Sequence, residues 1–183
     1  MHPQGLVKTR QDPLCVRYRV SPGEAWITDH ATASSASSDP FHGVVVAGDG
    51  QAAPLGFGIH RAVGGDHDLP NPGDLLCAAL AACLDSTLRM VAERMDLRLE
   101  TLEVSVKAFA DVRGCLMVDR GVAAGFQRIA VDVSVKAADG VDPAKVKALV
   151  AAAERSCVVL QTLRSNPPVE TRLTEPIASE AAQ

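Results

Sequence analysis

The sequence predicts a single domain of the α+β class, and three observations lead to that prediction. Short runs with the composition of strands precede a long apolar segment with the composition of a helix. Two segments of alternating apolar and polar residues follow, and a second segment with apolar residues at helical spacing comes after them. Strands and helices therefore do not alternate one by one, which argues against a parallel sheet and favours antiparallel pairing.

The composition fits a folded domain of ordinary size. The chain has 183 residues, of which 47% are hydrophobic and 22% are charged. We expect one domain over residues 15–174, because the two ends lack an apolar period. Residues 1–14 are predicted to form a flexible N-terminal arm, and residues 175–183 a flexible tail.

The charge distribution and the apolar runs exclude several classes of partner. The 18 basic and 22 acidic residues are interspersed, with a net charge of −4, which argues against binding to nucleic acid. The longest uninterrupted apolar stretch, Leu75 to Leu84, is ten residues long, whereas a membrane-spanning helix needs about 20. No secretory signal precedes residue 15, so we expect a cytoplasmic protein without a membrane partner.

The N-terminal third predicts a meander of short strands. Its strand-like runs are separated by residues that favour turns, and they are Val16 to Val20, Ala25 to Thr28, Gly43 to Ala47 and Gly56 to His60. A region rich in glycine, proline and aspartate follows, over residues 63–73. The first helix is predicted to begin where this region ends.

That helix is predicted over residues 72–95. Asn71 is suited to cap it, with Pro72 at the first helical position and Asp74 in the first turn, where a carboxylate meets free N–H groups. Its first half, Leu75 to Leu84, is apolar on every side, so the helix should be central. Because one chain of this size has few elements to cover such a helix, the pattern also indicates a homodimer.

Two longer strands and a second helix are predicted in the C-terminal half. The strands are Leu102 to Phe109 and Arg128 to Lys136, and their alternation predicts an antiparallel pair with one wet face. Asp142, followed by proline, predicts the start of the second helix, and Cys157 lies near its end. A last short strand, Val169 to Leu173, follows a pair of prolines.

Five cysteines are the candidates for chemistry. Their odd number and the absence of Cys-x-x-Cys spacing indicate neither a disulfide framework nor a zinc site. Cys83, in the first helix, and Cys157, on the second, can be core residues, since free cysteine often packs as a small apolar side chain. The same two thiols also suit a reductant in which one thiolate attacks and the other resolves the sulfenic acid. The remaining three are Cys15, Cys77 and Cys115.

The histidine pattern predicts no metal site. None of the five histidines stands four residues from another on a helix or beside a cysteine pair. We therefore expect neither a metal nor another cofactor.

Two segments carry a resemblance to a known family. The first reads Asn-Pro-Gly-Asp-Leu-Leu-Cys-Ala-Ala-Leu-Ala-Ala-Cys-Leu over residues 71–84, followed by Ser-Thr-Leu over 86–88. The second reads Ser-Cys-Val-Val over 156–159, with Thr-Leu at 162–163 and Asn-Pro-Pro-Val at 166–169. Together they resemble the OsmC/Ohr family, named for osmotically induced protein C and organic hydroperoxide resistance protein. The likeness covers roughly residues 60–174.

This resemblance implies both a fold and an activity. The fold is OsmC-like, with antiparallel sheets wrapped around two central helices in an intertwined homodimer whose site lies at the interface. The activity is cofactor-free reduction of organic hydroperoxides, with Cys83 as the peroxidatic cysteine and Cys157 as the resolving one. A thiol or lipoyl-type dithiol is the implied reductant.

The chain departs from the Ohr branch near the first motif. That branch has Asn-Pro-Glu ten residues before its first cysteine, but Gly73 stands there, and the nearest acid is Asp74. Nine residues of straight helix place Asp74 opposite Cys83 and about 13 Å along the axis, so Asp74 either caps the helix or serves the partner subunit's site. The activating arginine of that branch has no evident counterpart, and the candidates are Arg17, Arg19 and Arg61.

These departures place the chain closer to the divergent OsmC-like branch than to Ohr proper, and they keep a second hypothesis open. The alternative is an OsmC-like dimer with slow or structural cysteines that binds a small apolar ligand or acts in a stress response. Titration of free thiols before and after one equivalent of cumene hydroperoxide distinguishes the two.

Overall fold

The computed structural model of the chain describes residues 5–35, 38–49 and 53–174. It confirms the α+β class. The helices are α1 (Leu6–Val20), α2 (Pro72–Arg94), α3 (Val112–Cys115), α4 (Pro143–Ser156) and α5 (Val158–Ser165). The strands are β1 (Ala31–Ser34), β2 (Gly43–Ala47), β3 (Leu55–Phe57), β4 (Leu99–Phe109) and β5 (Arg128–Ala137). The tail predicted over 175–183 lies outside the described residues.

Helix α2 is the central element, and it begins as predicted. Asn71 caps it by accepting hydrogen bonds from the amides of Gly73 (2.8 Å) and Asp74 (3.2 Å). The Asp74 carboxylate accepts in return from the Asn71 amide at 2.9 Å, which completes a capping box. Its buried face packs against β4, α4 and α5. The core so formed consists of Leu80, Leu84, Leu88, Ala92, Leu97, Leu149, Ala153, Cys157 and Leu160.

The other face of α2 is not covered within one chain. Ala78, Ala79 and Ala82 are exposed, although the sequence predicts a helix buried on every side. By length and composition alone, α2 could also cross a membrane, a test that core helices of soluble proteins pass as well. The ten-residue apolar run from Leu75 to Leu84 does not by itself indicate a membrane-spanning length. The whole helix reaches that length because it also includes polar residues.

The long strands form the sheet that packs on α2. β4 and β5 pair antiparallel, as predicted, with Val104 opposite Val133 and Val106 opposite Val131. Alternate residues of β4 are half-buried and exposed, which is the pattern of a sheet with one wet face. The apolar face of this pair contacts the core, where Val104, Val106, Val131 and Val133 lie.

A second antiparallel sheet is formed by the three short strands in the order β1, β2, β3. β2 has the predicted bounds, and β3 overlaps the predicted run from Gly56 to His60. β1 was not predicted. None of the residues in these strands is fully buried, so the sheet contributes nothing to the buried core of a single chain.

The structure corrects the prediction at the N-terminus. Residues 6–20 form α1, where the sequence predicted an arm followed by a strand over Val16 to Val20. α1 has no buried residue and attaches to the end of α2 through polar contacts, so it lacks the apolar period that reveals a helix. Lys8 pairs with Asp96 at 3.0 Å, and Arg94 pairs with Asp12 at 2.9 Å.

Two other predicted strands are absent from the described residues. The run from Ala25 to Thr28 begins at the end of a 3-10 turn, Pro22–Ala25, and continues as extended chain without a ladder. Val169 to Leu173 forms no regular element and pairs with no strand in the described part of the chain. Both runs have strand-like composition, but composition does not supply a neighbouring edge with which to pair.

Candidate functional site

Cys83 and Cys157 are brought together by the packing of α2 against the α4–α5 junction. Cys83 lies in the middle of α2 and is half-buried, whereas Cys157 is fully buried. Cys83 packs against the core cluster that contains Cys157, and the interaction between the two thiols shifts the pKa of each. Of the three site residues that the sequence singled out, these two therefore occupy one site.

Cys157 is the residue at which α4 ends and α5 begins. Its N–H donates to the carbonyl of Ala153 at 2.9 Å, and its own carbonyl accepts from the amide of Gln161 at 2.9 Å. Its backbone is extended, with φ −74° and ψ 109°, so the chain changes direction here. The backbone of Cys157 is thus satisfied on both sides, and the thiol is left for other interactions.

The N-terminus of α5 faces the Cys83 sulfur. The first amides of a helix have no partner within it, and they carry a partial positive charge. Burial raises the pKa of Cys83, but hydrogen bonds from the amides of Val159 and Val158 and from the Cys157 thiol outweigh that effect. The resulting pKa of Cys83 lies below its ordinary value, which favours the thiolate.

The pKa of Cys157 is shifted in the opposite direction. Burial raises it, and the neighbouring Cys83 raises it further, because a protonated Cys157 can donate toward Cys83 whereas a second negative charge would be repelled. When one of the two thiols ionises, the charge is therefore favoured on Cys83 and the proton on Cys157. This is the division of roles that a nucleophile and its hydrogen-bond donor require.

Sequence reasoning missed two contributors to the site, the first turn of α5 and Thr87. Thr87 lies one helical turn after Cys83, is buried, and donates its hydroxyl to the Cys83 carbonyl at 2.7 Å. It also interacts with the Cys83 sulfur and lowers the pKa of that thiol. The spacing of four residues on one helix was the signal that could have identified it.

Asp74 is not part of the cysteine site within its own chain. Its carboxylate accepts hydrogen bonds from the backbone amide of Asn71 at 2.9 Å and from its side-chain amide at 2.6 Å. Because α2 is continuous from Pro72 to Arg94, nine residues of helix separate Asp74 from Cys83. The observed contacts of Asp74 are those of a capping residue.

The candidate arginines make contacts elsewhere. Arg17 pairs with Glu24 at 3.3 Å, and Arg61 donates to the carbonyl of Asp66 at 3.1 Å. Arg19 is exposed on α1. Among the described residues, no group of three or more His, Cys, Asp or Glu side chains could hold a metal ion.

A groove of about 290 Å³ with a mixed polar and apolar lining borders the part of α2 that carries Cys83. It is lined by Leu80 and Leu84, which flank Cys83 on α2, and by residues of β5 and α5 that include Ile129 and Leu160. A single ion pair, Arg164 with Glu154 at 3.2 Å, adds polar groups to the lining. A groove of this composition suits a small molecule with both an apolar part and a polar group.

Comparison with known proteins gives one family. The family model described as OsmC-like protein matches residues 65–172, more than half of the chain. No curated protein matches the sequence. An organic hydroperoxide resistance protein OsmC from Legionella pneumophila is 26% identical, with a TM-score of 0.58 over 76% of this chain and 91% of its own.

Two further solved structures share the fold at lower identity. An OsmC-like protein from Mycoplasma pneumoniae is 14% identical, with a TM-score of 0.61 over 75% of this chain and 88% of its own. An OsmC-like protein of unknown function from Vibrio cholerae is 10% identical, with a TM-score of 0.62 over 75% of this chain and 94% of its own. From the family match and the shared fold, the chain belongs to the OsmC-like family.

Proposed function

We propose that the protein is a thiol-dependent peroxidase that reduces organic hydroperoxides through Cys83 and Cys157. The observation that carries this proposal is the position of the Cys83 sulfur between the first amides of α5 and the Cys157 thiol. Donors on both sides lower the pKa of Cys83 and so favour its thiolate, and a thiolate is the species that attacks a peroxide.

The proposed reaction has three steps. The Cys83 thiolate attacks the terminal oxygen of the hydroperoxide, the O–O bond breaks, and the leaving alkoxide takes a proton from water to become an alcohol. The Cys157 thiol then condenses with the Cys83 sulfenic acid, which forms a disulfide and releases water. Finally, an external dithiol, such as one of lipoyl type, gives two electrons and two protons, restores both thiols and leaves as its own disulfide.

The groove supports an organic substrate over hydrogen peroxide. Its apolar side chains include Leu80 and Leu84, which lie on the same helix as Cys83 and can hold an alkyl group. The Legionella pneumophila relative is described as an organic hydroperoxide resistance protein, which agrees with that substrate class. A reducing compartment, the cytoplasm, is part of the proposal, because it keeps both thiols reduced between turnovers.

A homodimer is also proposed. The exposed alanines on α2, among them Ala78, Ala79 and Ala82, form a small-residue face that a second copy of the helix could approach closely. Any role of Asp74 in the reaction then belongs to the partner subunit's site, since nine residues of helix separate it from its own Cys83. Light scattering at micromolar concentration tests the dimer, and a single-chain mass would contradict it.

The test of the peroxidase is a comparison of three variants. Cys83→Ser should abolish consumption of cumene hydroperoxide, because a serine hydroxyl is not ionised at neutral pH. Cys77→Ser, on the same helix and half-buried, is the matched control and should keep the wild-type rate. Cys157→Ser should consume peroxide once per chain and then stop, and peptide mapping of the oxidised wild type should find a Cys83–Cys157 disulfide.

The second candidate function is binding of a small apolar ligand without redox chemistry. The groove favours it, because neither cysteine is among the residues that line it. An equal loss of peroxide with wild type and Cys83→Ser, together with saturable binding of an apolar probe, would establish this alternative and exclude the peroxidase.

A further inference from the structure

We propose that Thr87 is a movable hydrogen-bond donor to the nucleophile: its hydroxyl turns from the carbonyl oxygen of Cys83 to the sulfur of Cys83 when that thiol ionises. The inference deepens the proposed function, since it assigns a further residue to the same site. Its direct consequence, easier ionisation of Cys83, can be measured without any peroxide.

The burial of Thr87 is the first reason. Among the described residues it is the only polar side chain in the buried core, with 6% of its surface exposed. A hydroxyl in an apolar core costs free energy unless it forms hydrogen bonds, and valine would fill the same space without that cost. Packing alone therefore does not account for a threonine at this position.

The contacts of the hydroxyl are the second reason. It donates to the Cys83 carbonyl at 2.7 Å. Because Thr87 follows Cys83 by four residues on α2, the side chains of the two residues are neighbours on one face of the helix, and Thr87 contributes to the lowered pKa of Cys83. The hydroxyl has a single proton to give. A thiolate is a stronger acceptor than a thiol, because hydrogen bonds to charged groups are the stronger ones. Ionisation of Cys83 therefore changes which of the two acceptors is preferred.

The carbonyl does not lose its only side-chain donor when Thr87 turns away. The hydroxyl of Ser86 lies 3.1 Å from the same oxygen and 2.7 Å from the carbonyl of Ala82, and it shares its one proton between the two. Rotation about one side-chain bond thus supplies a donor to the sulfur and leaves the backbone oxygen paired. No helical hydrogen bond has to break.

The titratable and charged groups around Cys83 stay the same when Thr87 is replaced. Cys157 faces the sulfur from the α4–α5 junction. On α4 and α5, Glu154 and Arg164 pair with each other at 3.2 Å. On α2 itself, Asp85 pairs with Arg89. The charged residues on β4, which also packs against α2, are Glu100, Glu103 and Lys107.

The test measures the pH dependence of alkylation of Cys83 by iodoacetamide, with peptide mass spectrometry to follow this thiol separately from the other four. In Thr87→Val, the midpoint should move to higher pH, and the rate at pH 7 should fall about tenfold, as expected for loss of one hydrogen bond to a charged group. Thr87→Ala should show the same change and covers the case in which valine disturbs folding. Thr87→Ser restores the hydroxyl and should return to within about twofold of the wild type.

Ser86→Ala is the matched control, because it removes a hydroxyl from the same carbonyl but none from the sulfur, and it should leave the alkylation profile unchanged. An unchanged profile in folded Thr87→Val and Thr87→Ala would overturn the proposal, as would an equal shift in Ser86→Ala. If wild-type protein fails to consume cumene hydroperoxide but Thr87→Val still shifts the profile, the peroxidase is wrong and the role of Thr87 stands.

Discussion

Asp74 is the site residue whose role a single substitution decides. In the structure it completes the capping box of α2, accepting from the Asn71 backbone amide at 2.9 Å and from the Asn71 side chain at 2.6 Å. Asp74→Ala removes both interactions together with a negative charge in the first helical turn. Losses of N-terminal caps cost about 0.5–2 kcal/mol, and because Asp74 is exposed we expect about 1 kcal/mol.

The assay is urea or thermal unfolding together with peroxide consumption by the folded variant. A loss of about 1 kcal/mol lowers Tm by roughly 2–4 °C in a protein of this size. Asn71→Ala should cost at least as much, because it leaves the amides of Gly73 and Asp74 without their acceptor. The double variant should lose less than the sum of the two single losses, since the residues stabilise one another.

The capping interpretation also predicts what does not change. Asp74→Ala should keep the wild-type rate of Cys83 alkylation and of peroxide consumption at temperatures where it is folded. An unchanged Tm combined with a rate lowered by tenfold or more would refute the reasoning. That result would instead place Asp74 in the site of the partner subunit.

Two further predictions concern the core and a charged cluster. Leu149→Ala should lower the free energy of unfolding by about 2–5 kcal/mol, because Leu149 is fully buried; a loss below 1 kcal/mol in urea titration would contradict the core described here. His42 donates from Nδ1 to the carboxylate of Asp39 at 2.6 Å and from Nε2 to that of Asp68 at 3.0 Å. These contacts, Asp39 first, raise the pKa of His42 from 6.5 to about 9. The stabilisation from His42 should therefore be complete below pH 6.5 and be lost as the pH rises to about 9. The difference in urea midpoint between wild type and His42→Asn should shrink over that range. A constant difference would count against the interaction of His42 with the two aspartates.

Elements with a strong local signal were predicted from the sequence. The start of α2 follows from a capping asparagine, a proline and an acid within four residues, Asn71 to Asp74, and the predicted end differs from the observed end by one residue. The pairing of β4 with β5 follows from their alternation. In each case the information lies within a short stretch of chain.

Elements that depend on distant partners were not predicted. α1 is held by ion pairs such as Lys8 with Asp96, which leave no apolar period in its sequence. The break between α4 and α5 at Cys157 is invisible to periodicity, since Ser156 and Val158 are both helical. The short strand β1 depends on β2 for its hydrogen bonds, and its own four residues carry no strand pattern.

The candidate site shows the same division. The two cysteines could be selected from the sequence, and their likeness to a family suggested that they meet, but their spacing alone could not. The amides of Val158 and Val159 carry no side-chain signal at all, because any residue type supplies an N–H. Thr87 was visible only as a polar residue on an apolar helix.

The first turn of α5 has a consequence for how the redox state of the chain can be observed. The amides of Val158 and Val159 use the sulfur of Cys83 as their acceptor, so their hydrogen bonds depend on the charge of that atom. Protonation, alkylation or oxidation of the sulfur weakens that acceptor and leaves two backbone N–H groups less protected. The amide hydrogen exchange and nitrogen-15 chemical shifts of these two residues therefore report the chemical state of the Cys83 side chain, although that side chain lies on another helix.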